Sequence, residues 1–556
     1  MSKTLTAILI FTLLYSEKSV AQAPFKTLEP IDIGNINMSI AVHGDWGWDA
    51  DTGAAKCEFP KGSGIHLSNA TTVWMGGYDQ QNQLHVSAQT YRQSGNDFWP
   101  GPLDNNGNLN LATSTQWARI WKVNFIEIGK HINTTGRTVN NTPQTILEWP
   151  AKGNPYARGN NGAPLTITTD MAPFVDVNSD GNYDPLAGDY PDIKGDQMLW
   201  WVFSDNGPTH DNTQSQPLHV EVHAKAYAYA RGSLLDNVVY FEMDIHNKSF
   251  WDYSAFRLAI SADMDLGYVF DDYIGFDSAR RLGYVYNGNT IDGMGQPGAY
   301  GNTPPIAGYT FLKMPGDNGT NYVPTGSFMT FNNDGSVMGN PQNAAEYYNY
   351  MTSRFRDGMN LNNDFAGKGV LSSGRGTGPQ TNYIYTGDPA DTNTWSECNC
   401  YNPPGDRRFV LSTGDISINQ NTKVSIAYAL VTTNRGSNNA CPGVGITGIK
   451  DVTDTAWKYF LNPPATRLSV QDVAKHKILQ LHPNPANDKL HISIAGASMG
   501  TDVTLSVYDI TGRKMNVSYT NKGDKLDADV SALVPGVYSI RLNNGDRNST
   551  AVFVKE

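Results

Sequence analysis

Residues 218–247 read LHVEVHAKAYAYARGSLLDNVVYFEMDIHN. Apolar and polar side chains alternate along both halves of this stretch. A period of two places successive side chains on opposite faces, as in a strand, whereas a helix repeats about every 3.6 residues. The runs MLWWVF at 198–203 and AFRLAISA at 255–262 flank it, again without helical periodicity. Four such runs in close succession predict an antiparallel meander or sandwich and argue against βαβ units.

The same pattern extends outward. Residues 31–42 and 70–77 read as strands around the turn Gly44-Asp45-Trp46-Gly47-Trp48, and 84–92 alternates cleanly. Residues 97–103, DFWPGPL, form a loop in which Phe98 and Trp99 are either a packed corner or a sugar platform. Residues 116–128 fit a strand or a short helix. Residues 287–408, rich in Gly, Asn, Pro, Asp and Tyr, are expected to be long ordered loops, and strands resume at 408–412 and 423–433. At 445–460, Ile446, Ile449, Val452, Ala456 and Phe460 recur at helical spacing, and Asn462-Pro463-Pro464 ends the helix.

The fold class that follows is all-β: a multidomain antiparallel β-sandwich body with long loops and a small C-terminal Ig-like β-sandwich. At 556 residues the chain exceeds one ordinary core. It divides into a signal peptide at 1–21, an N-terminal β-rich region at 22–170, a central β-sandwich region at 171–462, a linker at 463–480 and a terminal domain at 481–556.

The leader is read from a basic start at Lys3, an apolar run at 6–15 and the small-x-small site Ser19-Val20-Ala21. No later run of 18 apolar residues follows, so no transmembrane segment is expected in the mature chain. The net charge of -12, with 17% charged residues and no Lys/Arg cluster among aromatics, argues against a nucleic-acid partner. The four cysteines, Cys57, Cys398, Cys400 and Cys441, suggest two disulfides in an oxidising compartment, with Cys57 and Cys441 as separate partners of Cys398 and Cys400.

The chemistry-bearing stretch is FVDVNSDGNYDPLAGDYPDIKGD at 174–196. Asp176, Asn178, Asp180 and Asp184 present oxygens at alternate positions, Gly181 allows the sharp turn, and Asn182 offers its carbonyl. Such a set suits a hard cation, and calcium in a structural role is the expected cofactor. The loop resembles those of EF-hands, dockerins and thrombospondin type 3 repeats. It departs from them at Ala187, where an EF-hand carries its bidentate Glu, and at Pro185, which opposes an exiting helix. Asp189, folded back at Gly188, could supply the missing carboxylate. The alternative is an Asx-turn loop without metal.

A second acidic set, Asp263, Asp265, Asp271, Asp272 and Asp277, fits another calcium site, an acid/base pair or solvated turns. His219, Glu221 and His223 fall on one strand face, a geometry that suits a transition metal or merely a polar face. No HExxH helix and no phosphate-cradling loop is present. Gly496-Ala497-Ser498-Met499-Gly500 spells a nucleophile elbow but lacks its strand-to-helix setting.

The C-terminal stretch alternates at 490–494 and 503–508, turns at 509–512 and resumes after Gly536. Its elements are Pro483-Asn484-Pro485-Ala486-Asn487-Asp488, Val507-Tyr508-Asp509 to Gly512, Leu533 to Gly536-Val537-Tyr538, and Phe553-Val554-Lys555. On these it resembles the C-terminal sorting domain, type A, of the type IX secretion system of the Bacteroidota. The resemblance implies Sec export, passage across the outer membrane by the type IX machinery, and cleavage of 481–556 by a sortase-like peptidase. The body resembles large extracellular Bacteroidota proteins that carry this domain. That likeness rests on Trp74-Met75-Gly76-Gly77, Tyr91-Arg92, residues 97–102 and 173–201, and Asp406-Arg407-Arg408-Phe409, and it implies no activity.

The expected function is that of a secreted or surface-displayed, non-catalytic, calcium-stabilised protein for adhesion or for binding an extracellular polysaccharide or surface polymer. The competing reading is a secreted hydrolase acting on glycans with carboxylates from 263–277. A glycosidase sets two carboxyls across a cleft at roughly 5–9.5 Å, whereas a cation cage converges its oxygens on one point.

Overall fold

The computed structural model describes residues 27–90, 95–318, 321–363, 378–400, 402–434, 441, 443–464, 479–494, 500, 503–509, 513–544 and 547–556. The signal peptide, Tyr91-Arg92, most of the linker, the 510–512 turn and Ala497-Ser498-Met499 lie outside the described residues.

The body is two antiparallel sheets packed face to face. One is nine-stranded, ordered Trp99–Pro100, Gln197–Ser204, Val220–Ala228, Val238–Asn247, Lys423–Asn434, Pro305–Lys313, Leu282–Asn287 and Asp272–Asp277, with Trp121–Asn124 paired to Gln197–Ser204. The 197–247 meander foreseen from alternation stands in it, with Phe203 opposite Val222 and Val222 opposite Ile245. The other sheet is eleven-stranded and centres on Tyr253–Asp263, flanked by Arg408–Ser412 and Ala70–Tyr78. Strands from 22–170 and from 171–462 share both sheets, so the sandwich runs across that boundary.

Period two explains which side chains fill which layer. Leu199, Trp201, Phe203, Val222, Ala224, Phe241, Met243, Tyr428 and Leu430 face the eleven-stranded sheet. Met198, Trp200, Val202, Tyr227, Tyr240, Ala429 and Val431 face the other way. That second face is covered by the helix Thr447–Leu461, through Ile449, Val452 and Ala456, and by the segment holding Trp121, Trp149 and Tyr183. The nine-stranded sheet is therefore buried on both sides, which is why Gln197–Ser204 is a continuous apolar run.

Between the sheets, Trp46 stacks on Phe241 at 4.8 Å and Phe241 on Tyr428 at 5.0 Å. The Trp46 indole N–H donates to Tyr309 Oη at 3.0 Å, and the Tyr309 hydroxyl donates to Thr71 Oγ1 at 3.0 Å. Trp46 and Thr71 belong to one sheet and Tyr309 to the other, so a completely buried polar bridge joins the layers.

Several expectations change. Residues 287–408 hold core strands at Pro305–Lys313 and Ser327–Phe331 and a helix at Ala344–Met351, besides loops. Residues 116–128 contain both candidate elements, the strand Trp121–Asn124 and then the helix Phe125–Ile132, started by a capping box of Asn124 with Glu127. Phe98 and Trp99 are a packed corner: both are buried, and the Trp99 N–H donates to Thr209 O at 2.8 Å. Cys398 pairs with Cys441, but Cys57 is not a disulfide partner. It is a buried thiol in the short strand Cys57–Glu58, and burial pushes it up to about 12.

The terminal domain is two four-stranded sheets. Leu479–His482, Lys489–Ile494, Lys525–Asp529 and Ser518–Asn521 form one; Lys514–Met515, Thr504–Asp509, Gly536–Asn544 and Arg547–Lys555 form the other. Leu490, Ile492, Val507, Leu526, Ile540 and Phe553 fill the space between. Asn484 Oδ1 accepts the Val554 N–H at 2.9 Å, and the Ala486 N–H donates to Val554 O at 2.8 Å. No helix among the described residues is long and apolar enough to cross a membrane.

Tyr309→Phe deletes the hydroxyl of the inter-sheet bridge and leaves the Trp46 N–H buried without an acceptor. The expected cost is ~1–3 kcal/mol, against ~3–5 kcal/mol for the cavity left by Trp46→Ala. Urea unfolding of both variants checks the order, and an unchanged midpoint for Tyr309→Phe would show that the bridge contributes nothing.

Candidate functional site

The chain passes between the two sheets after Asp263. The Tyr253–Asp263 strand ends there in the eleven-stranded sheet, and Asp272–Asp277 opens the edge of the nine-stranded one. Asp263 lies opposite Arg408 in the strand register, which brings in the lead-in residue Asp406. Asp263, Asp265 and Asp406 each place one carboxylate oxygen within 4.8 Å of the others. Arg408 Nη2 stands 3.0 Å from Asp263 Oδ2 and 3.7 Å from Asp406 Oδ2. Asn69 donates its side-chain N–H to Asp265 Oδ2. Burial first, then the charges of Asp263, Asp406 and Asp272, hold the Asp265 carboxyl well above the usual range.

The rest of the acidic set does other work. Asp272 has no exposed surface, accepts the Leu266 N–H at 3.0 Å, and is pushed well up by burial. Asp271 accepts the Gly293 N–H at 2.9 Å and lies beside Asp292, whose carboxyl its charge helps to raise. Asp292 also accepts N–H groups from Tyr268, at 3.0 Å, and from Tyr300. It thereby ties the crossover to the 292–301 loop. Asp277 stands at the far end of its strand, where it caps the Ser278–Arg280 turn and pairs with Arg280 at 3.0 Å. Asp406 and Asp292 were not foreseen from sequence. Convergent, buried carboxylates of this kind do not face each other across an open cleft, as a glycosidase pair would.

The 174–196 stretch forms a hairpin whose arms, Phe174–Val175 and Tyr190–Pro191, pair antiparallel. Tyr183 is fully buried at its tip, donating to Ile146 O at 2.7 Å. Asp176 accepts the N–H groups of Ser179, at 2.6 Å, and Gly181, at 2.8 Å. Asp180 accepts from Asn182 N at 2.8 Å and from the Asn178 side chain at 2.8 Å, and Asp184 accepts the Leu186 N–H at 2.9 Å. Gly188, at φ 120, turns Asp189 back into the loop as the sequence reading asked. There its two oxygens accept Val177 N at 2.9 Å and Asp184 N at 2.8 Å. Burial, with the charges of Asp176 and Asp180, raises the Asp189 carboxyl. Asp176, Asp180, Asp184 and Asp189 thus accept N–H groups of the loop itself, and among the described residues only Asp263, Asp265 and Asp406 converge within 4.8 Å.

The His219, Glu221 and His223 face does not form as a triplet. His219 takes φ 53 before the strand begins at Val220, and its ring contacts Gly107 O at 2.9 Å and Asn206 at 3.0 Å. Glu221 and His223 pair at 2.8 Å, a polar contact on a sheet face. Elsewhere a groove of about 530 Å³ opens beside the Trp121–Asn124 strand, lined among others by Arg119, Lys122, Gln144, Glu148, Arg158 and Asn160. Arg119 is held to Glu148 at 2.8 Å and Lys122 to Asp32 at 3.1 Å, whereas Arg158 Nη1 donates to Ala157 O at 3.0 Å.

Burial, with the charge of Asp271, pushes the Asp292 carboxyl up to about 6. An unfolded Asp titrates near about 3.9. The native state therefore holds the extra proton between those values, and stability contributed by this group falls as pH rises through that window. Asp292→Asn cannot titrate. The melting temperature of the wild type relative to Asp292→Asn should be highest near pH 4 and shrink toward pH 7; a difference that does not move with pH contradicts the assignment.

Residues 480–556 match the family model of the secretion system C-terminal sorting domain. No curated protein matches the chain. A solved polysaccharide lyase aligns over 60% of this chain and 34% of its own, at 8% identity and a TM-score of 0.18. The chain thus spans about a third of that lyase, and so low a score carries no argument about fold or chemistry. The sorting-domain match covers the two sheets that the 479–556 segment builds, and it identifies a type IX export signal. The protein is exported to the cell surface or the extracellular space.

Proposed function

We propose that this chain is a non-catalytic binding protein of the cell exterior, stiffened by calcium at the 176–189 loop and delivered by its terminal domain. The observation that carries the reading is the disposition of the acidic residues. Of the carboxylates nominated for glycan hydrolysis, Asp263 and Asp265 converge with Asp406 at the sheet crossover, Asp271 lies beside Asp292, Asp272 is buried, and Asp277 caps a turn at the far end of its strand. The 176–189 loop supplies oxygens alone, which favours a hard cation over zinc. Asp189 would close the set from within, and calcium there would neutralise the charges that now raise its carboxyl.

The partner class is a polar polymer, most simply an extracellular polysaccharide. The groove beside Trp121–Asn124 favours a neutral one, since Gln144, Thr145 and Asn160 offer hydrogen bonds, Arg119 and Lys122 are already paired, and Glu29 and Glu148 share the lining with Arg158. The terminal domain would be engaged by the type IX machinery and then removed by a sortase-like peptidase, releasing or anchoring the body.

Three outcomes follow. Deleting 481–556 should abolish appearance of the protein outside the cell and leave it in the periplasm; unchanged export would refute the address. EGTA should lower the melting temperature by about 2–4 °C, the response to losing ~2.7 kcal/mol of linkage at calcium a hundredfold above its Kd. Asp176→Ala with Asp180→Ala should lessen that response; an unchanged melt in EGTA sinks the calcium reading. On a glycan array the wild type should bind a neutral polysaccharide without degrading it, and Asn160→Ala with Gln144→Ala should weaken binding at least tenfold. Release of shortened glycan would favour the hydrolase instead.

A further inference from the structure

We infer that Asp263, Asp265 and Asp406 form a second cation site, separate from the 176–189 loop, which takes a hard divalent cation of calcium type and fastens the crossover between the sheets to the eleven-stranded sheet.

Charge supplies the first argument. Three carboxylates converge within 4.8 Å, with the guanidinium of Arg408 engaged with Asp263 and Asp406. Carboxylates brought this close in a region shielded from solvent repel one another strongly when ionised, and a divalent ion among them removes that repulsion.

Unused hydrogen-bonding capacity supplies the second. Asp265 is 6% exposed, and while its Oδ2 accepts from Asn69, its Oδ1 is buried without any hydrogen-bond partner. Asp406 Oδ1 is likewise buried without one. Buried carboxylate oxygens are almost always satisfied, so orphaned oxygens on two carboxylates of a converging set mark a place for a ligand. The donor set contains neither His nor Cys, which favours a hard cation such as calcium over zinc. Asp406 is partly exposed and offers a route in.

The three ligands come from separate pieces: the end of Tyr253–Asp263, the crossover itself, and the lead-in to Arg408–Ser412. A cation would fasten the connection between sheets and one of its flanking strands.

The test uses the full chain with the loop disabled by Asp176→Ala and Asp180→Ala, stripped with EGTA and titrated with calcium chloride in a calorimeter. One equivalent of calcium should still bind. Adding Asp265→Asn or Asp406→Asn should weaken that binding at least tenfold, and amide exchange of 264–272 in the loop-disabled chain should slow on adding calcium. Should Asp265→Asn fail to fold, the part-exposed Asp406→Asn decides alone. Loss of all calcium binding in the loop-disabled chain, or binding unchanged by Asp406→Asn, overturns the site. Failure of the loop reading would appear separately, as a wild-type stoichiometry equal to that of the loop-disabled chain.

Discussion

The body depends on the hydrogen bond that Trp46 makes to Tyr309 inside the sandwich, continued from Tyr309 to Thr71. Stacked aromatics alone tolerate sliding, because dispersion and the hydrophobic effect are weakly directional. A buried indole N–H is different, since leaving it unsatisfied costs more than the bond itself contributes. The two sheets therefore have one alignment in which this bridge closes. Everything at the sandwich edge inherits that alignment, including the distance the chain must cover from Asp263 to Asp272.

The strands that were legible from sequence are those where alternation is uninterrupted, such as 218–247. Even there the pattern did not reveal that both faces are buried, because Tyr, Ala and Lys can cover an inner layer as well as meet solvent. Pro305–Lys313 and Ser327–Phe331 escaped notice because Pro, Gly, Thr and Ser dilute their apolar content, and their burial is decided by neighbours far along the chain. The helix at 447–461 was readable because its apolar stripe and its Pro stop are local.

The site divides along the same line. The turning back of Asp189 at Gly188 could be foreseen, since the turn and its carboxylate are adjacent in sequence. Asp406 could not, because only the pairing of Arg408 opposite Asp263 brings it in. The readable signal was the acidic-basic run Asp406-Arg407-Arg408 placed just before an apolar strand. Asp277 looked like a member of the acidic set, but six residues of strand carry it to the other end of the sheet. In the terminal domain, by contrast, two motifs distant in sequence prove to be one contact. The Pro483 to Asp488 segment receives the Phe553 to Lys555 strand through Asn484 and Ala486.

Cys57 gives the molecule an internal witness to its own integrity. The thiol sits at zero exposure in a strand of the eleven-stranded sheet, and burial raises it to about 12. Only the thiolate attacks electrophiles or disulfides, so the native form is chemically silent there. Reactivity is acquired when the sheet opens, and the rate of alkylation then measures how often it does so. The same silence matters during oxidative maturation. A chain that buries Cys57 early removes one wrong partner from the pool available to Cys398 and Cys441, leaving the order of folding to choose the covalent link.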